Sequence, residues 1–387
     1  MVASRFALQS GRTFVWPTRG HVRRRASRLA RLAVASLALA AAFSAAQTPA
    51  ASDDAPPAAT GDALSVVRPK PPVDIALVLP LETQAYARAA EAVSAGFTAG
   101  AAGGRTTYVV IPHGQDGVLG AFEAARKSGA KVIVGPLVRD DLKVIASANI
   151  ELPWTLALNQ SDDVATAPSQ LFTFSLAVES DARTIARRMH EDAAQSVAII
   201  GGESPLMKRF AGAFATAWLL EGGNAPNSFR FDPAPEALTV LKRDLVKKTP
   251  DVALLAVDGR DAPLVKPFLG TVPAYASGLV FDQSSAATLR DLDGLAIVEI
   301  PWLVTPGAPE FAKYPRRDFG SASLERLYAL GLDAFRIAQA LMDGPPAQFV
   351  LEGATGHVVL AEGRQFVREG RLAIYRAGQL VPLDGAR

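Results

Sequence analysis

Residues 75–81 read Ile-Ala-Leu-Val-Leu-Pro-Leu (IALVLPL). A run this apolar and this short is the signature of a strand buried on both faces, as in the middle of a parallel sheet. Working outward, Tyr86, Ala89, Ala90, Val93 and Phe97 recur at helical spacing after it. Thr107–Ile111 reads as the next strand, and Leu119–Lys127 as a helix closed by Gly129. Lys131–Val134 is a strand ending in Gly135-Pro136, and Asp140–Ala148 a helix. Trp154–Leu158 and Phe172–Leu176 are further strands. Strands that alternate with helices in this way form a parallel sheet covered by helices on both faces.

A second series of the same kind follows. Asp181 reads as the cap of a helix carrying Ile185 and Met189, and Ser196–Ile200 as a strand entering Gly201-Gly202. Leu206, Phe210, Phe214 and Trp218 sit four apart, which is one face of a helix. Phe229–Phe231, Val252–Val257 and Ser277–Phe281 continue as strands, with helices at Leu238–Leu245 and Ala262–Leu269 between them. Ala296–Val304 (AIVEIPWLV) leaves this lobe, and Leu324–Met342 is a long apolar-faced helix that returns to the first. The pattern predicts an α/β protein of two lobes, each a mostly parallel sheet with helices on both faces, as in periplasmic binding proteins. Two independent doubly wound domains are the alternative. Lobe 1 is expected at about residues 73–178 and 306–387, and lobe 2 at about 179–305. A ligand in such a fold sits between the lobes, at the carboxyl ends of the strands. The loops expected there supply Leu81, Glu82, Thr83, Gly135, Pro136, Asn159, Gln160, Ser175 and Glu179 as cleft residues. The same small, hydroxyl and amide residues also make ordinary turns and caps.

The N-terminus has a different character. Eight arginines and no acidic residue precede residue 32, the apolar run Leu32–Phe43 follows, and then the small residues Ser44-Ala45-Ala46. Basic, apolar, then small is the order of a secretory signal peptide, here residues 1–46. The apolar run is 12 residues, short of the roughly 20 that span a bilayer. Residues 47–72, rich in Ala and Pro, read as a flexible tether. The whole chain of 387 residues has 40 Lys+Arg against 38 Asp+Glu, but without the eight arginines of the leader the count is 32 against 38. The exported portion is therefore mildly acidic, which argues against nucleic acid as a partner. There is no cysteine, which excludes disulfides, thiolate chemistry and lipidation of a leader cysteine. The expected location is the periplasm, without a lipid anchor.

Catalytic patterns are missing. No GxGxxG follows a strand, and neither a P-loop nor a GxSxG elbow is present. His113, His190 and His357 are scattered without metal-site spacing, and each reads as a surface or locally satisfied histidine. Ser128-Gly129-Ala130-Lys131 matches S-x-x-K of penicillin-reactive enzymes, but Gly129 ends a helix and Lys131 opens a strand, so Ser128 reads as a helix C-cap. Asp140-Asp141 reads as a complement to a helix dipole. No catalytic residue, metal ligand or cofactor is expected.

Several of these segments resemble the LppC family, the LpoA-type activators of penicillin-binding proteins. They are IALVLPL (75–81) with Ala95-Gly96-Phe97, VIVGPL (132–137), LALNQ (156–160) and TFSLAVESDAR (173–183). LDGLAIVEIPWL (292–303), RLYALGLDAF (326–335) and the GATG turn (353–356) follow in the same order. The resemblance implies a type I periplasmic-binding-protein-like fold without catalysis, and a penicillin-binding protein as partner in peptidoglycan synthesis. The chain departs from the family in two respects. Its leader has no cysteine, and about 25 tether residues stand where the family has a helical-repeat arm. The competing expectation is a solute-binding protein that delivers an amino acid or similar small ligand to a transporter. The cleft distinguishes the two. A receptor presents polar groups converging on its ligand, whereas a regulator can have a filled or apolar cleft.

Overall fold

The computed structural model describes residues 72–160, 167–281 and 286–383. Contacts divide the chain into two units, Met1–Val67 and Arg68–Arg387, and all described residues lie in the second. The leader, and the tether up to residue 71, lie outside the described residues.

The opening stretch forms β1 (Ile75–Leu79), buried along its whole length. Its alternate side chains serve two cores. Ile75, Leu77 and Leu79 face one side of the sheet, while Ala76 and Val78 face the other. A strand in mid-sheet must be apolar at every position for this reason. The first lobe continues through α1 (Ala87–Ala101), β2 (Tyr108–Pro112), α2 (Val118–Lys127), β3 (Val132–Val134), α3 (Arg139–Ser147), β4 (Trp154–Ala157) and β5 (Leu171–Phe174). The parallel strands stand in the order β2-β1-β3-β4-β5.

The second lobe repeats the plan. It runs through α4 (Val178–Glu191), β6 (Val197–Gly201), α5 (Pro205–Leu220), β7 (Asn227–Arg230), α6 (Pro235–Lys248), β8 (Val252–Ala256), α7 (Ala262–Val265), β9 (Ala274–Ser277), α8 (Ala286–Asp291) and β10 (Leu295–Glu299). Its parallel order, β7-β6-β8-β9-β10, is the same permutation. Helices α4 and α5 cover one face, and α6 and α7 the other.

After α9 (Pro301–Val304), helix α10 (Ala322–Leu341) packs in lobe 1 beside α1. The hairpin strands β11 (Val350–Glu352), β12 (His357–Ala361) and β13 (Gln365–Glu369) extend the lobe 1 sheet, with β13 parallel to β5. The chain then departs from the sequence reading, which kept residues 306–387 in lobe 1. Strands β14 (Arg371–Arg376) and β15 (Gln379–Pro382) join lobe 2, with β14 antiparallel to β10. The parallel edge at β10 needs a partner for its N–H and C=O groups, and β14 supplies it. The backbone therefore crosses between lobes three times, near residues 175–177, 300 and 370.

The α1–α10 contact depends on two glycines. A Cβ on Gly96 would lie 1.9 Å from the Tyr328 carbonyl oxygen, and one on Gly331 would lie 2.1 Å from that of Val93. The two helix backbones touch there, so no side chain fits. Replacing Gly331 by Ala should destabilise the protein by about 1–3 kcal/mol or more through forced separation of the helices, read as a fall in the urea midpoint.

Candidate functional site

The cleft between the lobes opens at the carboxyl ends of the strands, as expected for sheets of this order. Its outer chamber, about 500 Å³, is formed from lobe 1 by the segments after β3, β4 and β5. Lobe 2 contributes Leu206 and Arg209 at the start of α5, and Leu279 after β9. The walls are largely aliphatic, with Leu137, Leu158, Leu176, Leu327 and Leu330 from lobe 1 facing Leu206 and Leu279.

Three of the nine expected cleft residues, Asn159, Gln160 and Ser175, line this chamber. The Asn159 amide donates to the Leu137 carbonyl (2.9 Å), and its oxygen accepts the Gln160 N–H (2.9 Å). That side chain is therefore spent on shaping its own loop. Glu179 stands beside the chamber and accepts the Nε–H of Arg209 (2.8 Å), so these two charges neutralise each other. Gly135 and Pro136 lie one step behind the wall. Gly135 donates to the Leu156 carbonyl, and the Pro136 carbonyl accepts from Leu158, which ties β3 to β4. Gly135 has φ +122°, and a Cβ there would meet the Val78 carbonyl oxygen at 2.2 Å. Leu81 lines a separate surface groove along α1, the Glu82 N–H donates to the His113 carbonyl, and the Thr83 carbonyl accepts the first N–H groups of α1. Those three are turn residues rather than cleft residues. The lobe 2 wall was missed because nothing in a linear pattern says which loops of a second sheet will face the first.

Behind the outer chamber lies a second of about 230 Å³, which shares the walls Leu176, Val178, Leu279 and Leu327 with it. Four buried charges line it: Asp181 and Glu299 from lobe 2, and Arg326 and Arg368 from lobe 1. Arg326 on α10 donates Nε–H to both oxygens of Glu299 (3.0 and 3.2 Å) and Nη2–H to the Gly278 carbonyl (2.8 Å). Arg368 on β13 donates Nη2–H to Asp181 on α4 (2.8 Å). Each pair joins one lobe to the other. Arg187 on α4 adds an exposed inter-lobe pair with Glu369 on β13.

This corrects the reading of Asp181 as a helix cap. Helix α4 begins at Val178, and Asp181 sits in its first turn with its carboxylate turned into the clamp. Burial, with a smaller push from Glu299, raises that carboxyl to about 6, against the lowering effect of Arg368 and Arg326. A second buried acid, Asp333 on α10, accepts the N–H groups of Ala354 and Thr355 (3.0 and 2.7 Å) and the Thr355 hydroxyl (2.6 Å). It thereby fixes the GATG turn, whose Ala354 carbonyl accepts the Trp302 N–H at the second crossing. Burial raises the Asp333 carboxyl, with these hydrogen bonds working in the opposite direction.

Of the other polar residues singled out from sequence, His113 is buried, with Nδ1 at 3.0 Å from the Gly114 carbonyl and Nε2 at 4.0 Å from Asp141. Ser128 is the C-cap of α2 and donates its hydroxyl to the Ala125 carbonyl (2.6 Å). Asp140 and Asp141 occupy the first turn of α3. Among the described residues no helix is long and apolar enough to cross a membrane.

The sequence model of the LppC lipoprotein family matches residues 44–248 and 238–378. The chain belongs to the LppC family. Among curated relatives, the penicillin-binding protein activator LpoA of Enterobacter sp. is 29% identical over 306 residues, covering 66% of this chain and 42% of that protein. LpoA of Haemophilus influenzae is 25% identical over 268 residues, covering 67% and 46%. The chain thus spans less than half the length of these relatives. Among solved structures, a Chromobacterium violaceum protein described as a branched-chain amino acid ABC transporter is 31% identical, with TM-score 0.70, covering 78% of this chain and 99% of that one. The C-domain of Haemophilus influenzae LpoA, described as a regulator of PBP1A, has TM-score 0.69 at 21% identity, covering 80% and 99%. These likenesses establish the periplasmic-binding-protein-like fold expected from the strand pattern.

Two outcomes test the clamp. Arg326→Met leaves Glu299 buried without its partner and should cost about 3–5 kcal/mol, whereas Glu299→Met with Arg326→Met should regain most of that in a double-mutant cycle by urea unfolding. The Asp181 carboxyl has a folded value of about 6 against an ordinary 3.8, so the folded state binds its proton more tightly than the unfolded state. Its contribution to stability should therefore rise as pH falls from about 7 towards 4, and Asp181→Asn should flatten that part of the stability profile.

Proposed function

We propose that this LppC-family protein is a non-catalytic periplasmic regulator that binds a penicillin-binding protein and stimulates peptidoglycan synthesis. The observation that carries the proposal is the state of the cleft. Its walls are mainly aliphatic, its Glu179 and Arg209 charges are paired with each other, and its base is clamped by two buried inter-lobe ion pairs. A solute receptor works by hinged opening and closing around its ligand. A clamped body instead presents one fixed surface, which suits docking to a protein. The LpoA name of its curated relatives supports the same reading. Among the described residues no group of three or more His, Asp and Glu could hold a metal ion, and the proposed role is one of contact rather than chemistry.

The solute-receptor reading has one observation in its favour, the 31% identity to the Chromobacterium violaceum protein over nearly all of that chain. The two readings separate in one experiment. The tagged full chain is used to capture proteins from envelope extracts, and captured synthases are detected with a fluorescent penicillin. A parallel thermal-shift series uses leucine, isoleucine and valine. A penicillin-labelled synthase retained through washing, with no amino-acid shift, is the expected result. A large shift with leucine and no labelled synthase would overturn the proposal in favour of the receptor.

A further inference from the structure

The outer chamber is open at its mouth, and a large apolar side chain from each lobe stands there. Tyr86, at the start of α1 in lobe 1, is 43% exposed, and Leu206, in the first turn of α5 in lobe 2, is 39% exposed. Exposed apolar residues scattered singly are ordinary on a protein surface. These two border the same cavity, and they carry the apolar surface of its walls out to the rim. Behind them seven leucines line the interior. At about 500 Å³ the chamber lies within the roughly 300–1,000 Å³ of sites that take drug-sized molecules. A bulky apolar side chain and part of its neighbour therefore fit.

The charges at the chamber decide what can enter. Arg209 is paired with Glu179, Asp140 is paired with Lys143, and Arg139 is not free either. An entering charge would lose its water and meet no unpaired counter-charge. An uncharged apolar group loses nothing of that kind and gains by the burial of its surface. The open mouth then separates a free small molecule from a side chain. Small-molecule sites bury roughly 70–90% of the ligand. Here two buried ion pairs tie the lobes together at the base, while Tyr86 and Leu206 leave the rim exposed. A side chain carried on another protein brings its own cover, because the surface around it closes the mouth. The centres of protein interfaces have this composition, depleted in free charge and rich in apolar and aromatic groups.

We propose that the outer chamber is the socket for the partner synthase. A leucine, phenylalanine or tryptophan side chain projecting from the penicillin-binding protein enters it, and the surface around that anchor covers Tyr86 and Leu206. The inference rests on the regulatory reading and adds to it the face that binds. Both lobes build the socket, so it is complete only when they are held together, and the clamp serves recognition through its effect on the walls.

The test uses the full chain, envelope extract, and fluorescent penicillin as the label for retained synthase. Leu206→Glu puts a charge at the mouth, and Leu279→Trp fills the interior. Each should lower the retained synthase at least about tenfold at a chain concentration below saturation, with a urea midpoint close to the parent's. Leu220→Glu is the control. Leu220 is 83% exposed at the other end of α5, about 21 Å from Leu206 at a rise of roughly 1.5 Å per residue, and its variant should retain synthase as the parent does. A second readout does not depend on those variants folding. Benzoylphenylalanine in place of Leu206 should cross-link to the penicillin-labelled band on irradiation, and in place of Leu220 it should not. A parent that retains no labelled synthase overturns the regulatory reading and this inference with it. A parent that retains it, with Leu206→Glu and Leu279→Trp folded and retaining as much, overturns this inference alone. So does a cross-link from position 206 only to a second copy of this chain, or a cross-link to the synthase from position 220 alone.

Discussion

Two ion pairs buried at the base of the cleft, Glu299 with Arg326 and Asp181 with Arg368, set the geometry on which the rest of the site depends. Each takes its acid from lobe 2 and its base from lobe 1. A buried charge is tolerated only with its partner in hydrogen-bonding geometry. Separating the lobes would therefore require water to enter and rehydrate four charges. Such pairs are weak contributors to net stability when compared with apolar replacements. Their consequence is positional, because each pair forms only where its two lobes are brought together.

The three crossings make that arrangement possible. Glu299 ends β10 next to the second crossing, and Arg368 lies two residues before Gly370 at the third. Asp181 follows the first crossing by one helical turn. The clamp is thus built where the backbone already brings the lobes together. Nearby, Asp333 holds the GATG turn against α10, and that turn holds Trp302 at the second crossing. Lobe 1 and the hinge are joined through these bonds, and the aliphatic outer chamber inherits its shape from them.

Much of the fold was legible because continuous apolar runs in a parallel sheet report burial on both faces. IALVLPL, VIVGPL and VALLAV show this without any knowledge of their neighbours. The repeated strand–helix series foretold two equivalent lobes, and the strand order repeats in both. The cleft was legible only in part. Asn159, Gln160 and Ser175 could be placed, since loops after parallel strands share one edge of a sheet. Leu206, Arg209 and Leu279 could not, since they belong to the other sheet.

The amino-acid sequence by itself determined the α/β class, the two series of strands and helices, the absence of thiol chemistry and the family of the chain. Each follows from local periodicity, composition or ordered motifs, which need no contact between distant residues. Only the tertiary structure decided that β14 and β15 return to lobe 2, and that Asp181 is half of an ion pair rather than a cap. It also decided that Arg368 meets Asp181 across 187 positions of chain. A polar residue in a first helical turn looks the same in sequence whether it faces water or a buried guanidinium, and the packing of the two lobes distinguishes them.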